Sequence, residues 1–246
     1  MTLWYEGPLA GVHSWATGAD AERDRIVTVA VVVQETPAAR PRITRWLVSP
    51  GIPVPPSDLH GLAEEQLQRH GRWPAPVLEE VARALVEQCA AARPLVVMDA
   101  PAGLTLLDRE LRRHRAASLP GYLERVPLHV LDPRLLDGHL DRYRKGRRAL
   151  TDLCRTYGVP RPEARDTAAF AFAALEVTRA LGHRFASRLE RLSAADLHAL
   201  QARWYHDRPR GPLGWLARTE GAETTAPSWP LRPDLAPAGR PIDGEP

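Results

Sequence analysis

The sequence predicts one α/β domain with a mixed five-stranded sheet and helices on both faces. Three observations favour this fold class. The strand candidates lie mostly in the first half of the chain, the second half has helical patterns, and one apolar run is rich enough in β-branched residues for a fully buried strand. A chain of 246 residues, 44% hydrophobic and 26% charged, is typical of a globular protein and long enough for one such domain.

Five segments have strand character. Residues 26–33 form the nearly continuous apolar run, whereas residues 42–48 alternate polar and apolar side chains, as an exposed strand near a sheet edge does. The short linker between them predicts an antiparallel pair. The other strand candidates are residues 9–14, 95–98 and 128–131.

Helical spacing of apolar residues follows in several segments. The predicted helices cover residues 61–69, 77–92, 104–115, 133–143, 149–157, 166–189 and 194–206. Ser193 is the expected N-cap of the last one, with Asp196 three positions on. This order of strands and helices favours a sheet covered on both faces.

The composition changes after the last helix. Residues 1–206 are predicted to form the domain, and residues 207–246, with eight prolines and five glycines, to form a tail. The chain has no apolar run long enough to cross a bilayer, and no secretory signal pattern at its start. Two distant cysteines make neither a disulfide framework nor a zinc site. We expect a cytoplasmic protein without membrane contact.

Several segments resemble, in order, the motifs of one nuclease family. Residues 11–18 (GVHSWATG) resemble F-D-x-E-T-T-G, residues 59–62 (LHGL) resemble V-H-G-[IL], and residues 165–170 (RDTAAF) resemble H-D-A-x-x-D; residues 97–104 resemble the intervening N-A-x-F-D segment. These are motifs of the DEDDh 3′–5′ exonucleases, the family of the polymerase III proofreading subunit. The resemblance covers roughly residues 8–185 and implies a ribonuclease H-like fold.

The resemblance also implies a chemistry that this sequence lacks. Family members hold two Mg²⁺ or Mn²⁺ ions with four carboxylates and use a histidine as general base. The carboxylate positions here are His13, Trp15, Gly103 and Phe170, and the histidine position is Arg165. Because none of these residues can replace the original, the resemblance predicts a pseudo-exonuclease with no catalytic residues and no metal cofactor.

An active enzyme is the alternative interpretation. Asp99 and Asp166 lie near the altered motifs, and with His13 they could form a relocated metal site for an unusual 3′–5′ exonuclease. The competing interpretation makes the two aspartates turn or helix-capping residues and His13 a packed or solvent-facing side chain.

The altered cleft has two interpretations as well. Trp15 and Arg165 could bind nucleic acid by stacking on a base and pairing with a phosphate. Alternatively, Trp15 and Phe170 fill the volume that metals and water leave, and extend the core.

A basic cluster is the second predicted nucleic-acid contact. It comprises Arg142, Arg144, Lys145, Arg147 and Arg148, with one tyrosine among them. Such a cluster can follow a phosphate backbone, although a solvated turn has the same composition. The predicted partners are single-stranded nucleic acid or a nucleotide, and alternatively a protein partner or a second copy of the chain.

Overall fold

A mixed five-stranded sheet forms the centre of the protein. The structure is a computed structural model that describes residues 3–54, 60–163, 166–207 and 229–232. Within them the strand order is β3-β2-β1-β4-β5. The strands are β1 (Leu9–Ala16), β2 (Ile26–Gln34), β3 (Arg42–Leu47), β4 (Leu95–Val97) and β5 (Val130–Leu131). The predicted α/β class with a mixed five-stranded sheet is confirmed.

The strands follow the sequence patterns closely. β2 is buried at every residue, as its apolar run predicts, and it pairs antiparallel with both β1 and β3. β3 lies at the sheet edge, and its first four residues are exposed. β4 and β5 run parallel to β1. β1 is two residues longer than predicted, and β5 is limited to the last two residues of its candidate segment.

Helices cover both faces of this sheet. They are α1 (Glu64–His70), α2 (Pro74–Ala90), α3 (Ala100–Arg115), α4 (Leu119–Leu123), α5 (Pro133–Leu140), α6 (Leu150–Tyr157), α7 (Thr167–Arg184), α8 (Ala186–Leu189) and α9 (Ala194–His206). The sequence patterns missed α4, carried α5 on to residue 143, and joined α7 to α8. Phe185, with φ −116° and ψ 30°, separates α7 from α8. The predicted starts of α1, α2 and α3 were also wrong by three or four residues.

Two hydrophobic cores lie on opposite sides of the sheet. One packs β-strand side chains against α2, α3 and α4, and the other packs them against α5, α6 and α7. α7 lies close against β1 at Gly11, where an added Cβ would come within 2.4 Å of the Ala171 carbonyl oxygen. Cys89 and Cys154 are buried free thiols, and burial raises the pKa of Cys89 to about 11.

The parallel strands bring three chain segments together at one edge of the sheet. α3 begins directly after β4, and α5 begins directly after β5. The Asp132 carboxylate joins the two helix starts, because Oδ2 accepts a hydrogen bond from the Ala100 amide (3.0 Å) and Oδ1 accepts one from the Arg134 amide (2.9 Å). The carboxyl end of β1 lies at this same edge.

Part of the predicted tail packs on the domain. Trp229 lies against the rings of His198 and Tyr205, and the Arg232 amide donates a hydrogen bond to Thr105 Oγ1 on α3 (2.9 Å). The other tryptophan of the tail, Trp215, lies outside the described residues. In the described part of the chain, no helix combines the length and hydropathy needed to cross a membrane.

Candidate functional site

Three aromatic rings converge where the sequence resemblance places metal ligands. His13 and Trp15 alternate with Ser14 on β1 and therefore share one face of the sheet, the face that α7 covers. The His13 ring lies 4.5 Å from the Trp15 ring and stacks on Phe170 of α7 at 5.2 Å, with an interplanar angle of 20°. Trp15 and Phe170 meet edge to face at 5.0 Å.

These rings connect to the hydrophobic cores. Trp15 packs on the buried cluster of Val27, Val54 and Leu67, whereas Phe170 packs on the core beneath α7. Aromatic side chains therefore occupy the space between the end of β1 and α7. This arrangement favours the interpretation in which the rings fill the site.

His13 is neutral at physiological pH. Burial lowers its pKa to about 4, because a charged imidazole would lose its hydration among the neighbouring rings. Its Nε2 atom is buried and has no hydrogen-bond partner in the described structure, and the same is true of Trp15 Nε1. His13 thus supplies no positive charge to a phosphate at pH 7. Arg165, the predicted cationic partner in this cleft, lies outside the described residues.

An open cavity lies at the carboxyl end of β1, and His13 and Trp15 form part of its wall. It has a volume of about 270 Å³ and extends between β1, β4 and the first turns of α3. Gly103, which replaces a motif carboxylate in the resemblance, forms part of its wall. A Cβ at this position would lie 3.6 Å from Val97 Cγ1, an ordinary contact, so the space beside Gly103 is not closed by its neighbours.

The nearby aspartates are engaged elsewhere. Asp99, at the start of α3, pairs with Arg134 (Nη1 to Oδ2, 2.7 Å). Asp166 caps α7 by accepting hydrogen bonds from the Ala168 and Ala169 amides, and it lies 3.5 Å from Arg45. The structure therefore does not bring Asp99, Asp166 and His13 together as one ligand set.

Other acids near the site do not form such a set either. Asp132 is buried at the junction of α3 and α5, and burial raises its pKa to about 6. In the described ranges, no group of three or more His, Cys, Asp or Glu side chains could hold a metal ion. The residues described do not fit the two-metal centre that the resemblance implies; that the protein uses no metal stays a prediction.

The basic cluster divides into two sets. Arg144 and Arg148 point inward and bind the carboxylate of Asp137, at 2.8 Å and 2.6 Å. The Tyr157 hydroxyl donates a third hydrogen bond to this buried carboxylate, at 2.6 Å. These contacts raise the pKa of Arg144 above its usual range, chiefly through the hydrogen bond to Asp137. Both arginines therefore hold the loop in place.

The other three cations of the cluster are exposed. They are Arg142, Lys145 and Arg147. The Arg142 guanidinium lies over the ring of Tyr143, 5.1 Å from its centroid, and Tyr143 itself is 84% exposed. An exposed tyrosine beside three exposed cations is an arrangement that can bind a nucleic-acid strand.

A stacked pair beside this loop was missed in the sequence. His139, at the end of α5, stacks on Trp204 of α9, with ring centroids 3.8 Å apart and an interplanar angle of 9°. Burial lowers the pKa of His139, and the nearby cations of Arg188 and Arg142 lower it further. A cleft of about 720 Å³ runs along this pair. The sequence offered little sign of this stacked pair, because α5 and α9 are far apart in the chain. The one signal was the position of His139 just before the basic cluster.

The fold matches solved structures of exonucleases. A zinc-bound complex of E. coli exonuclease I with single-stranded DNA has a TM-score of 0.62 at 12% identity, covering 75% of this chain and 42% of that one. Exonuclease I from Methylocaldum szegediense has a TM-score of 0.59 at 17% identity, covering 74% and 42%. A full-length 3′-exonuclease has a TM-score of 0.55 at 15% identity, covering 77% and 64%.

These likenesses concern the fold. The ribonuclease H-like fold that the resemblance implied is confirmed, and the neighbours are described as exonuclease I and as a 3′-exonuclease. The chain spans 42% of the length of the exonuclease I structures. No protein-family model matches the chain. No curated protein matches it either.

Proposed function

We propose that this protein is a pseudo-exonuclease, which uses an exonuclease fold to hold single-stranded nucleic acid without hydrolysing it. The observation that carries the proposal is the packing of His13, Trp15 and Phe170 against one another at the motif positions. Three rings occupy the space in which a two-metal enzyme needs carboxylates and water.

The chemistry of the site supports a loss of hydrolysis. A two-metal mechanism needs oxygen ligands that hold two dications and stabilise the attacking and leaving oxygens. The nearest carboxylates, Asp99 and Asp166, are paired with Arg134 and Arg45. His13 stays neutral, but its Nε2 atom is buried and is therefore not placed to activate a water molecule that attacks a phosphate.

The exposed basic loop supports nucleic-acid binding. Arg142, Lys145 and Arg147 are available for phosphates, and Tyr143 offers a ring for a base. Arg144 and Arg148 act in this proposal by fixing the loop, and Trp15 and Arg165 remain proposed contacts of the cleft. E. coli exonuclease I, a structural neighbour, is described in complex with single-stranded DNA. We extend that kind of ligand to this chain, in a cytoplasmic setting.

Protein contacts are a smaller part of the proposal. Exonuclease I is also described in a complex named ExoI/SSB-Ct. A protein partner or a second copy of this chain would be consistent with a fold that has been retained without its metal ligands. Size-exclusion chromatography with light scattering, run with and without oligonucleotide, measures whether a second copy is present.

A combined trimming and binding assay tests the proposal. The full chain is incubated with 5′-labelled single-stranded DNA or RNA, first with Mg²⁺ and then with Mn²⁺. We expect no shortening of the strand, together with saturable binding that weakens as salt increases. Progressive loss of 3′ nucleotides would instead support the alternative, a metal-dependent 3′–5′ exonuclease with an unusual site.

Charge-reversal variants locate the binding surface. Lys145→Glu with Arg147→Glu replaces two exposed cations, and we expect affinity to fall at least about tenfold at low salt. Loss of two phosphate contacts should also reduce the slope of log affinity against log salt by about 1.4. The matched control is Arg40→Glu with Arg69→Glu, which makes the same charge change at exposed positions elsewhere. Equal losses in both variants would mean that net charge, and not this loop, governs binding.

A further inference from the structure

The cavity beside β1 has the properties of a small-molecule site. Its walls include fully buried apolar side chains from three elements: Ile26 and Val29 of β2, Val97 of β4, and Leu104 and Leu107 of α3. Most of its wall lies on the sheet face of Val12 and Ser14, opposite α7, and His13 and Trp15 border it from the ring cluster. The ring cluster therefore adjoins the cavity and leaves it open.

The mouth of the cavity lies at the functional edge of the sheet. Gly18, after β1, and Asp99 and Gly103, at the start of α3, line it and are partly exposed. A ligand can therefore enter from the edge where the carboxyl ends of the parallel strands meet, which is where ligands of α/β proteins commonly bind. The deeper walls are hydrophobic and exclude water.

Charge decides what this cavity can hold. Its described lining contains neither Lys nor Arg, and Asp99 is its only carboxylate. Asp99 is paired with Arg134, so the described lining offers an entering phosphate no unpaired cation, and the desolvation of the phosphate would be uncompensated. The cavity is thus poorly suited to the nucleotide that a nuclease cleft of this fold would be expected to take.

Volume sets the size of the ligand. A dry apolar cavity of about 150 Å³ accommodates one benzene ring. The cavity of about 270 Å³ is larger, and it is close to the lower limit for ligand pockets. Ser14 adds one hydroxyl to the lining for a hydrogen bond with a polar substituent.

From this geometry we infer that the cavity between β1, β4 and α3 binds an uncharged apolar molecule of about two fused rings. The inference does not depend on nucleic-acid binding by the basic loop, because the described lining of the cavity contains none of its cations. Gly103 is part of this site, because its missing side chain keeps the cavity open toward α3.

A matched pair of ligands tests the inference on the unmodified full chain. Isothermal titration calorimetry at neutral pH compares 2-naphthol, which is uncharged, with 2-naphthyl phosphate, which has the same rings and a phosphate. We expect 2-naphthol to bind at one saturable site and the phosphate to bind at least about tenfold more weakly, because its charge stays unpaired. Absence of 2-naphthol binding, or equal or tighter binding of the phosphate, would overturn the inference.

A cavity-filling variant identifies the site. Gly103→Leu places a side chain into the cavity from within a helix, a position that leucine favours over glycine. We expect its affinity for 2-naphthol to fall at least about tenfold. The control is Ala90→Leu, which adds comparable bulk at an exposed helix end and should bind normally. Unchanged affinity in Gly103→Leu would place the ligand elsewhere and refute the assignment.

Discussion

Two buried regions of this protein treat polar groups in opposite ways. Between β1 and α7, His13 is surrounded by rings and its Nε2 atom has no described partner. Between α5 and α6, the fully buried carboxylate of Asp137 receives hydrogen bonds from Arg144, Arg148 and Tyr157. The first region keeps its titratable group neutral, whereas the second surrounds its carboxylate with hydrogen-bond donors.

The difference shows how this chain balances buried charge. A buried carboxylate is stable only when cations or several donors surround it. Asp137 obtains two arginines, and Asp108 likewise binds Arg109 and Arg112. At the end of β1 the described ring contacts of His13 and Trp15 are with each other and with Phe170. One sheet can thus combine an aromatic cluster on β1 with a paired buried carboxylate on α5.

Removal of the Asp137 carboxylate should have the largest effect. Asp137→Ala leaves two partly buried guanidinium groups without their shared partner, and we expect the free energy of unfolding to fall by about 4 kcal/mol. Urea unfolding followed by circular dichroism measures it. The control is Asp152→Ala on α6, whose ion pair with exposed Arg155 is longer (3.5 Å) and should cost less than about 1 kcal/mol. Similar losses in both variants would mean that the Asp137 pairs stabilise the fold no more than an exposed ion pair does.

The neutral state of His13 predicts a pH dependence. Its pKa is about 4 in the folded protein and about 6.5 in an unfolded chain, so between these values the unfolded state binds more protons. The contribution of His13 to stability is therefore complete above about pH 6.5 and falls by about 3 kcal/mol as the pH drops to 4.

The variant His13→Phe isolates this effect. Phenylalanine keeps the stacking on Phe170 and removes the titration, while every other group titrates in both proteins. The difference in unfolding free energy between the two proteins, measured by denaturant titration from pH 7 to pH 4, should move by about 3 kcal/mol in favour of the variant. Parallel curves for the two proteins would show that His13 is hydrated and accessible.

The sequence predicted the frame of the molecule better than the state of its site. The buried run of β2, the alternation of β3 and the Ser193 capping box are local patterns, and each is present in the structure. The end of α5 was harder to place, because Asp137 takes its partners from the following loop and from α6. Such long-range pairing leaves no local pattern.

The site was predictable in position but only partly in chemistry. Motif order placed His13, Trp15 and Phe170 together, and the structure does bring these rings into contact. Motif order did not predict the cavity beside Gly103, because this cavity depends on packing between β2 and α3. Nor did it indicate the stack of His139 on Trp204, which depends on how α9 lies beside α5.

Truncation of Phe170 tests whether the rings belong to the core. Phe170 is half-buried and contacts both His13 and Trp15, so Phe170→Ala should reduce the free energy of unfolding by about 2 kcal/mol, below the cost at a fully buried site. The control Trp73→Ala removes a larger ring that is 73% exposed, and should change stability by less than about 0.5 kcal/mol. If Phe170→Ala leaves the free energy of unfolding unchanged, the rings line a solvated cleft that is free for ligand.

The smallest expected effect is that of Asp99→Asn, and it separates an apolar site from a relocated metal site. Asp99 and Arg134 are both about half exposed, and Asn accepts the left-handed backbone conformation found there (φ 56°), so stability should fall by less than about 1 kcal/mol. Calorimetry with Mn²⁺ should detect no saturable binding in either protein. A site in the unmodified chain that weakens in Asp99→Asn would contradict the paired role of this aspartate. Asp166→Asn serves as the comparison, because Asn caps a helix about as well as Asp and the lost ion pair with exposed Arg45 is long (3.5 Å), so only a metal site would respond strongly.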